Sequence, residues 1–429
     1  MVHEKTLTLN LRSKKIYFSA VFLLFSLLLQ AQIACFKLET VTFENNATIK
    51  SDDGSKVYQK PHWDNQRGDD QYPVCYWVGK KLKASAVLKL APSTTVPSPL
   101  KDKIKVKGKC VEFECELPEK TAKLKDDGVE YPATDADKAF DIITIYDALT
   151  IKWSVKIGDQ DWTEVGTSEN TVYVTYKQPV TIPVFHTIVY LGCVNNDGKD
   201  NKVSEESIVS GIYEVFNSKD VGDVDGDPLK YWGPGTHEPD QFHTWGILKN
   251  KTGSCGGWAN FFVDIIQAQG ISGAGSTANA YVAITSRPDQ KITGGMRNRI
   301  KNSIRTYLPP PDTGYTIKDD YLFFIKGWKL NRADTFAIFQ SYSPGQNNPI
   351  PPPVFKDHAI VKFNGKYYDP SYGTGPYSSP VDWENNSIDG FGSIVVNSAG
   401  LPFFWIDKKD KKGQLETTFT EIDFGTRPQ

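Results

Sequence analysis

The chain has 429 residues, of which 39% are hydrophobic and 12% aromatic, and a formal net charge of −2. This length predicts two or three domains, and the composition is that of a folded protein and excludes a disordered one. The small net charge provides no basic field for nucleic acid and no polybasic patch for a membrane surface, so we expect neither partner.

The N-terminal segment has the order of a secretory signal peptide. Three basic residues precede an apolar run over residues 16–29, and small or polar residues follow through Ala34. The run is shorter than the roughly 20 residues that a spanning helix needs. We therefore expect residues 1–34 to be a signal peptide and the protein to be secreted, periplasmic or at the cell surface. The alternative is an uncleaved anchor, and Cys35 could carry a lipid.

Residues 35–180 are expected to form an antiparallel β-sandwich-like accessory domain. Short β-rich segments are separated by Gly, Pro and Asp turns, a spacing typical of sandwiches. A helical period competes only around residues 133–140. The predicted strands cover residues 74–78, 86–90, 104–108, 111–115, 149–155 and 172–176.

Residues 181–429 combine helices with strands, which predicts an α+β fold. Ser204 can cap a helix because two glutamates follow it in the first turn. A second helix is predicted over residues 254–269, with Gly270 as its stop signal. Further strands are expected at residues 187–191, 280–284 and 321–326.

The cysteines divide into two groups. In an oxidising compartment, four of them could form one or two disulfides, with three possible connectivities. Their spacings lack the paired pattern of a structural zinc site, so no metal is expected there. The four are Cys75, Cys110, Cys115 and Cys193.

Cys255 stands apart because it follows a Gly-containing turn and opens the second predicted helix. A thiol in a first helical turn faces unpaired backbone N–H groups and the positive end of the helix dipole, which favour the thiolate. The same N–H groups can donate to an oxyanion. Gly256 and Gly257 would let a substrate backbone approach closely. The alternative is a buried structural cysteine.

A predicted hairpin supplies a histidine and a carboxylate. Its turn is the Asn-Gly pair at residues 364–365, a strong signal for a two-residue hairpin loop. In that register His358 faces Ser371, and Asp369 lies two residues away on the same face, at a diagonal distance of about 7–8 Å. A slip of one residue would separate them. The alternative is a pair that only caps a surface hairpin.

Together these residues predict a triad. Cys255 would attack an amide or ester carbonyl as a thiolate paired with the His358 imidazolium. His358 would then protonate the leaving group, and Asp369 would fix its tautomer and orientation.

The pattern resembles the transglutaminase-like superfamily, in which a G-x-C turn opens a helix and a His and an Asp follow on strands. The resemblance covers roughly residues 185–400 and implies a papain/transglutaminase-like catalytic domain over residues 181–429. This chain differs from a compact member of the superfamily because 103 positions separate Cys255 from His358 (358 − 255). We expect the extra length to form a lid or rim. The matching residues are Gly253, Cys255, Ala259, Gly270, His358 and Asp369.

The resemblance also implies an activity. Superfamily members include cross-linking acyltransferases, proteases, amidases and inactive forms, and bacterial members with added β-domains look like hydrolases. We therefore expect a cysteine peptidase or amidase that needs no cofactor and acts on a protein or peptide, with the N-terminal domain holding a cell-surface polymer. The alternative is an inert surface-binding or adhesion protein that keeps the fold.

Weaker candidates surround the triad. The resemblance implies an upstream side chain that supports the oxyanion, for which Trp245 is the candidate, with Gln241 behind it; Gly256 and Trp258 are further candidates for substrate binding. A core role for Trp245 is the alternative.

Two other segments contain residue types that can bind a metal. His237, Glu238, Asp240 and His243 could ligate zinc, but Pro239 breaks the helical spacing of a zinc-protease motif. Residues 223–227 are rich in aspartate, but they fail the EF-hand register. We expect no metal at the site.

Overall fold

The computed structural model describes residues 36–428, with gaps at 93, 95, 97–99, 126, 234–238, 287–314, 326–342, 352–353, 398–401, 409–414 and 416. Helices make up 19% and strands 42%, so the protein is a mixed α and β structure. The expected signal peptide and Cys35 lie outside the described residues. Much of the segment between Cys255 and His358, which was expected to form a lid or rim, also lies outside the described residues.

The chain divides into two compact units. The first holds residues 36–48, 58–141 and 145–174, and the second holds residues 49–57, 142–144 and 175–428. The sequence placed the boundary between residues 180 and 181. The structure also adds two short upstream segments to the second unit, which no local composition signal marks.

The first unit consists of two five-stranded sheets with the strand orders β3-β1-β5-β9-β8 and β4-β11-β10-β6-β7. The strands up to this unit's end are β1 (Phe36–Phe43), β2 (Ile49–Lys50, in the second unit), β3 (Trp63–Asp64), β4 (Val74–Trp77), β5 (Lys81–Leu90), β6 (Ile104–Cys110), β7 (Glu116–Ala122), β8 (Leu124–Lys125), β9 (Gly128–Ala139), β10 (Thr144–Ile157) and β11 (Thr163–Thr175).

Aromatic side chains join the two sheets. Tyr131 on β9 and Trp153 on β10 make an edge-to-face contact with ring centroids 5.4 Å apart, and both are fully buried. Trp153 Nε1 donates to Ser168 Oγ at 3.1 Å, so its polar atom is satisfied in the core. Because the two rings come from different sheets, the sheets pack face to face, as expected of a β-sandwich.

One local prediction in this unit was wrong. Residues 111–115 form a turn and not a strand, because the disulfide between Cys110 and Cys115 closes them and Cys110 N–H donates to the Cys115 carbonyl at 2.8 Å. Residues 133–139, where a helical period competed, lie in β9. The disulfide selects one pairing from those left open, and Cys75 and Cys193 are buried.

Five helices are described in the second unit, and two of them confirm their sequence signals. They are α1 (His186–Val194), α2 (Glu205–Asn217), α3 (Thr244–Asn250), α4 (Cys255–Ala268) and α5 (Pro380–Ser387), with a 3₁₀ turn at Pro239–Phe242. Ser204 caps α2 by accepting the Ser207 N–H at 3.2 Å. The helix predicted over residues 254–269 is α4, and Gly270 follows it with φ +76°.

The strand predicted at residues 187–191 is wrong, because these residues belong to α1. Six of the nine α1 residues are buried, so neither a period of two nor a single apolar stripe is visible in the sequence. A Cβ on Gly192 would lie 2.4 Å from Gln269 Nε2, which shows how closely α1 packs against the end of α4. Tertiary packing therefore decided between helix and strand.

The second unit contains a five-stranded sheet, β20-β19-β18-β15-β23, and a four-stranded sheet, β17-β16-β21-β22. β15 and β16 confirm the strands predicted at residues 280–284 and 321–326. The remaining strands are β12 (Val184–Phe185), β13 (Lys230–Tyr231), β14 (Thr252–Gly253), β15 (Ala280–Ser286), β16 (Tyr315–Ile325), β17 (Val354–Phe355), β18 (Asp357–Phe363), β19 (Lys366–Asp369), β20 (Thr374–Tyr377), β21 (Ile388–Asn397), β22 (Pro402–Lys408) and β23 (Thr417–Ile422).

Helix α4 is the centre of this unit. Every residue of α4 except Asp264 is buried, whereas the sequence predicted one buried face. Phe262 in α4 contacts Tyr213 of α2 and Tyr368 of β19, with ring centroids 5.3 and 5.7 Å apart. The helix is thereby fixed against both its neighbour helix and the five-stranded sheet.

Among the residues that the structure describes, no helix has the length and apolar character needed to cross a membrane.

Candidate active site

Cys255 is the first residue of α4, and its side chain is buried, with the residue 6% exposed. The preceding Ser254 does not cap the helix. Its hydroxyl donates instead to the Gln241 carbonyl at 3.1 Å. The N–H groups of the first turn therefore receive no side-chain cap, and the positive end of the helix dipole is directed at the thiol.

The glycines around Cys255 mainly allow other parts of the chain to pack closely against them. A Cβ on Gly257 would lie 2.4 Å from the Gln241 carbonyl oxygen, and one on Gly253 would lie 2.4 Å from Ile247. The expectation that Gly257 lets a substrate approach is therefore wrong, because the 3₁₀ turn before α3 occupies that position. Gly256 differs, since its nearest neighbours are side-chain atoms at 3.2 Å.

The hairpin that carries the histidine and the aspartate has the predicted register. Val361 pairs with Tyr368, and β18 turns directly into β19 at the Asn-Gly pair. His358 Nε2 lies 2.9 Å from Asp369 Oδ2, and both side chains are almost completely buried. The sequence prediction that these two residues meet on one face is confirmed.

Two further residues hold the carboxylate. Trp383 Nε1 donates to Asp369 Oδ2 at 3.4 Å, and the Tyr372 N–H donates to Oδ1 at 3.4 Å. The Trp383 indole also stacks on the His358 ring, with centroids 5.9 Å apart and planes 18° from parallel. Sequence analysis missed Trp383 because it lies on α5, beyond the hairpin, and no local pattern links it to the histidine.

Charge in the site favours a protonated histidine. Burial alone would lower the pKa of His358, but the Asp369 carboxylate, its hydrogen bond and the nearby Cys255 outweigh burial and raise that pKa to about 10. His358 Nδ1 is buried and has no hydrogen-bond partner within the described part of the chain. Since Nε2 is engaged by Asp369, Nδ1 is the nitrogen left to face the thiol.

Three buried tyrosines lie within electrostatic reach of Cys255. Burial raises the pKa of Tyr231, Tyr281 and Tyr372, and negative charge on Cys255 raises each of them further. Their hydroxyls therefore remain protonated at neutral pH. Sequence analysis did not select these residues, because each comes from a separate strand or loop.

Trp245 lies away from the triad. It is 38% exposed on α3, where its ring stacks on His243 with centroids 6.2 Å apart. It lines a cavity of about 460 Å³ together with Phe185 and Asn260, and neither Cys255 nor His358 contributes to that lining. The structure does not bring Trp245 together with the thiol.

Trp258 and Gln241 make contacts that support the structure around the start of α4. Trp258 is fully buried and makes edge-to-face contacts with Phe216 and Phe261. The Gln241 carbonyl accepts the Ser254 N–H at 3.1 Å and so anchors the residue before Cys255. The Trp258 ring thus packs in the core and the Gln241 backbone carbonyl anchors the helix start, and no contact described for either side chain reaches the triad.

The two metal motifs gain no support from the described residues. His237 and Glu238 lie outside them, and no group of three or more potential ligands is found in the part that the structure covers. Asp223 uses one oxygen to accept the N–H groups of Asp225 and Asp227, at 3.0 and 2.8 Å, and the other to pair with Lys251. Its carboxylate therefore stabilises its own turn.

Comparison of the chain with protein-family models gives no match, and comparison with curated proteins gives none either. The class of the protein is therefore inferred from its own residues and their geometry.

Proposed function

We propose that this protein is a secreted cysteine enzyme of the transglutaminase-like type that acts on amide bonds through an acyl-thioester, as a peptidase or amidase rather than a cross-linking acyltransferase. One observation carries the proposal. A buried His358 is held by Asp369 through Nε2 at 2.9 Å, and its side chain lies within hydrogen-bonding reach of Cys255, the first residue of a helix.

In the first half of the reaction, the Cys255 thiolate attacks the carbonyl carbon of an amide. A carbon–sulfur bond forms, and the carbonyl electron pair moves to oxygen, where first-turn N–H groups can stabilise it. The tetrahedral intermediate then collapses. The carbon–nitrogen bond breaks, and the leaving nitrogen takes the proton from His358 Nδ1. The product is a thioester on Cys255 and a free amine.

In the second half, His358 is neutral and accepts a proton from water. The resulting hydroxide equivalent attacks the thioester carbon, the carbon–sulfur bond breaks, and the thiolate is restored beside the imidazolium. Asp369 keeps Nε2 protonated throughout, so that Nδ1 is the nitrogen that exchanges protons. Burial of this pair beside Trp383 prevents water from replacing either hydrogen bond.

The proposal is tested by alkylating the purified, reduced protein with iodoacetamide across pH, with each cysteine followed by mass spectrometry. We expect Cys255 to react rapidly below pH 7 and to lose this reactivity in His358→Ala. Cys75 and Cys193 serve as buried internal references, and His186→Ala is the matched histidine control.

A rate for Cys255 no faster than that of an ordinary thiol, with a pKa near 8.5, would contradict the proposal and favour the inert surface-binding protein. If the thiol is activated, a fluorogenic peptide amide and a labelled amine distinguish the two reactions. Release of the fluorophore without amine incorporation supports hydrolysis, and incorporation of the amine supports acyl transfer.

A further inference from the structure

Gly256, the residue after Cys255, is buried and lets two side chains approach the start of α4 closely. A Cβ at Gly256 would lie 3.2 Å from the Tyr281 hydroxyl and 3.2 Å from Phe242 Cδ1, which is a tight contact. The Tyr281 hydroxyl therefore lies against the first turn of α4, next to the residue that carries the thiol.

Tyr281 is held firmly in position. It is 7% exposed on β15 and pairs with Val361 on β18, the strand that carries His358. The sheet therefore fixes the positions of Tyr281 and His358, with the two side chains on opposite faces because three positions separate Val361 from His358. Within the described residues the Tyr281 hydroxyl makes no hydrogen bond, so its proton is available to a group at the start of α4.

The hydroxyl is also in the right ionisation state to donate. Burial, the charge of Cys255 and the charge of Asp357 all raise the pKa of Tyr281. A neutral phenol that lies against a first-turn backbone and has no hydrogen-bond partner among the described residues is suited to an acceptor that carries developing negative charge.

We infer that the Tyr281 hydroxyl is a catalytic donor to the oxyanion, acting from beside Gly256 together with the backbone N–H of Cys255. This inference rests on the proposed thiol chemistry. As the carbon–sulfur bond forms, the carbonyl electron pair moves to oxygen, and Tyr281 O–H and the N–H group both donate to that oxygen without transferring a proton. Tyr281 thus takes the place for which the sequence had suggested Trp245.

Two readouts separate this role from activation of the thiol. Alkylation of Cys255 by iodoacetamide is a displacement at a saturated carbon and forms no oxyanion. Acylation by p-nitrophenyl acetate, followed through the p-nitrophenolate burst, attacks a carbonyl and does form one. Both rates are measured for the wild type, Tyr281→Phe, Gly256→Ala and the control Tyr367→Phe, a tyrosine on the same sheet whose hydroxyl contacts Glu421 at 3.2 Å.

We expect Tyr281→Phe to keep the alkylation rate within about twofold and to lower the acylation rate by about 10²- to 10³-fold, the loss typical of one oxyanion donor. Gly256→Ala, whose methyl group would press on the Tyr281 hydroxyl, should lower acylation similarly, and Tyr367→Phe should change neither rate. Circular dichroism confirms that each variant is folded.

Acylation of Tyr281→Phe at the wild-type rate would overturn the inference and leave the proposed function standing. Loss of both rates in a folded Tyr281→Phe would also overturn it, because Tyr281 would then support the thiolate and not the oxyanion. Slow alkylation of wild-type Cys255 would instead contradict the proposed function itself.

Discussion

Replacing Asp369 with Asn tests whether the carboxylate sets the charge of the histidine. The substitution keeps the shape of the side chain and an oxygen that can accept the Tyr372 N–H, but it removes the negative charge 2.9 Å from His358 Nε2. Since burial lowers the pKa of His358 and Asp369 is the main influence that raises it, the imidazolium should be lost at a lower pH. The thiolate that it stabilises should then be scarcer at pH 6.

The size of the effect follows from the bond that is lost. A hydrogen bond to a charged group contributes about 1.5–3 kcal/mol. At 1.36 kcal/mol for each factor of ten, alkylation of Cys255 at pH 6 should slow by about 10- to 150-fold. By the same conversion, the midpoint of its pH profile should rise by about 1 to 2 units.

The assay is the second-order rate constant for iodoacetamide, measured from pH 4 to 9. The matched control is Asp382→Asn, which makes the same chemical change in the first turn of α5, where the side chain accepts the Ser378 N–H at 2.9 Å. A folded Asp369→Asn protein with the wild-type rate and midpoint would refute the reasoning, because the carboxylate would then have no influence on the thiol.

Three further predictions concern the same unit. Trp383→Phe keeps an aromatic ring against His358 but removes one hydrogen-bond donor to Asp369, so alkylation of Cys255 at pH 6 should slow by about 2- to 10-fold. An unchanged rate would show that the 3.4 Å contact between Trp383 and Asp369 does not influence the thiol. Folding raises the pKa of His358 from 6.5 to about 10, so the contribution of its protonated form to stability is complete below pH 6.5 and is lost as pH rises to 10. Urea unfolding should show that the free energy of unfolding declines by at most about 5 kcal/mol between these pH values, and by less in His358→Gln. An equal dependence of the free energy of unfolding on pH in both proteins would argue against this origin. Arg427→Met removes the buried partner of the Asp264 carboxylate, whose side chain is 28% exposed. The free energy of unfolding should fall by about 1.5–3 kcal/mol, the range for a hydrogen bond to a charged group, with partial recovery in the Asp264→Asn double variant. No recovery would mean that packing and not charge dominates.

Signals that act within a few residues were read correctly from the sequence. Ser204 caps α2, Gly270 ends the helix that Cys255 begins, and the Asn-Gly pair at residues 364–365 fixes the hairpin register. Each depends on local backbone geometry, such as a capping oxygen, a positive φ or a two-residue turn, so the neighbouring residues are sufficient to specify it. The meeting of His358 and Asp369 follows from that register alone.

Contacts that periodicity does not detect decided what the local pattern left open. Residues 187–191 suit a strand or a helix, and burial within the second unit made them part of α1. The deciding contacts there lie outside the window from which periodicity is read. Residues 111–115 have strand composition, but a disulfide between Cys110 and Cys115, only five positions apart, holds them as a turn.

The surroundings of the thiol were decided by the tertiary structure. Trp383 reaches the triad from α5, and Tyr281 reaches Gly256 from β15, whereas Trp245, the oxyanion candidate from the sequence, lines a cavity to which neither Cys255 nor His358 contributes. The chain determined by itself that a cysteine opens a helix and that a histidine and an aspartate share a hairpin, because these are local geometries. Which side chains surround them depends on how strands and helices pack, since that packing brings together residues with no shared local pattern.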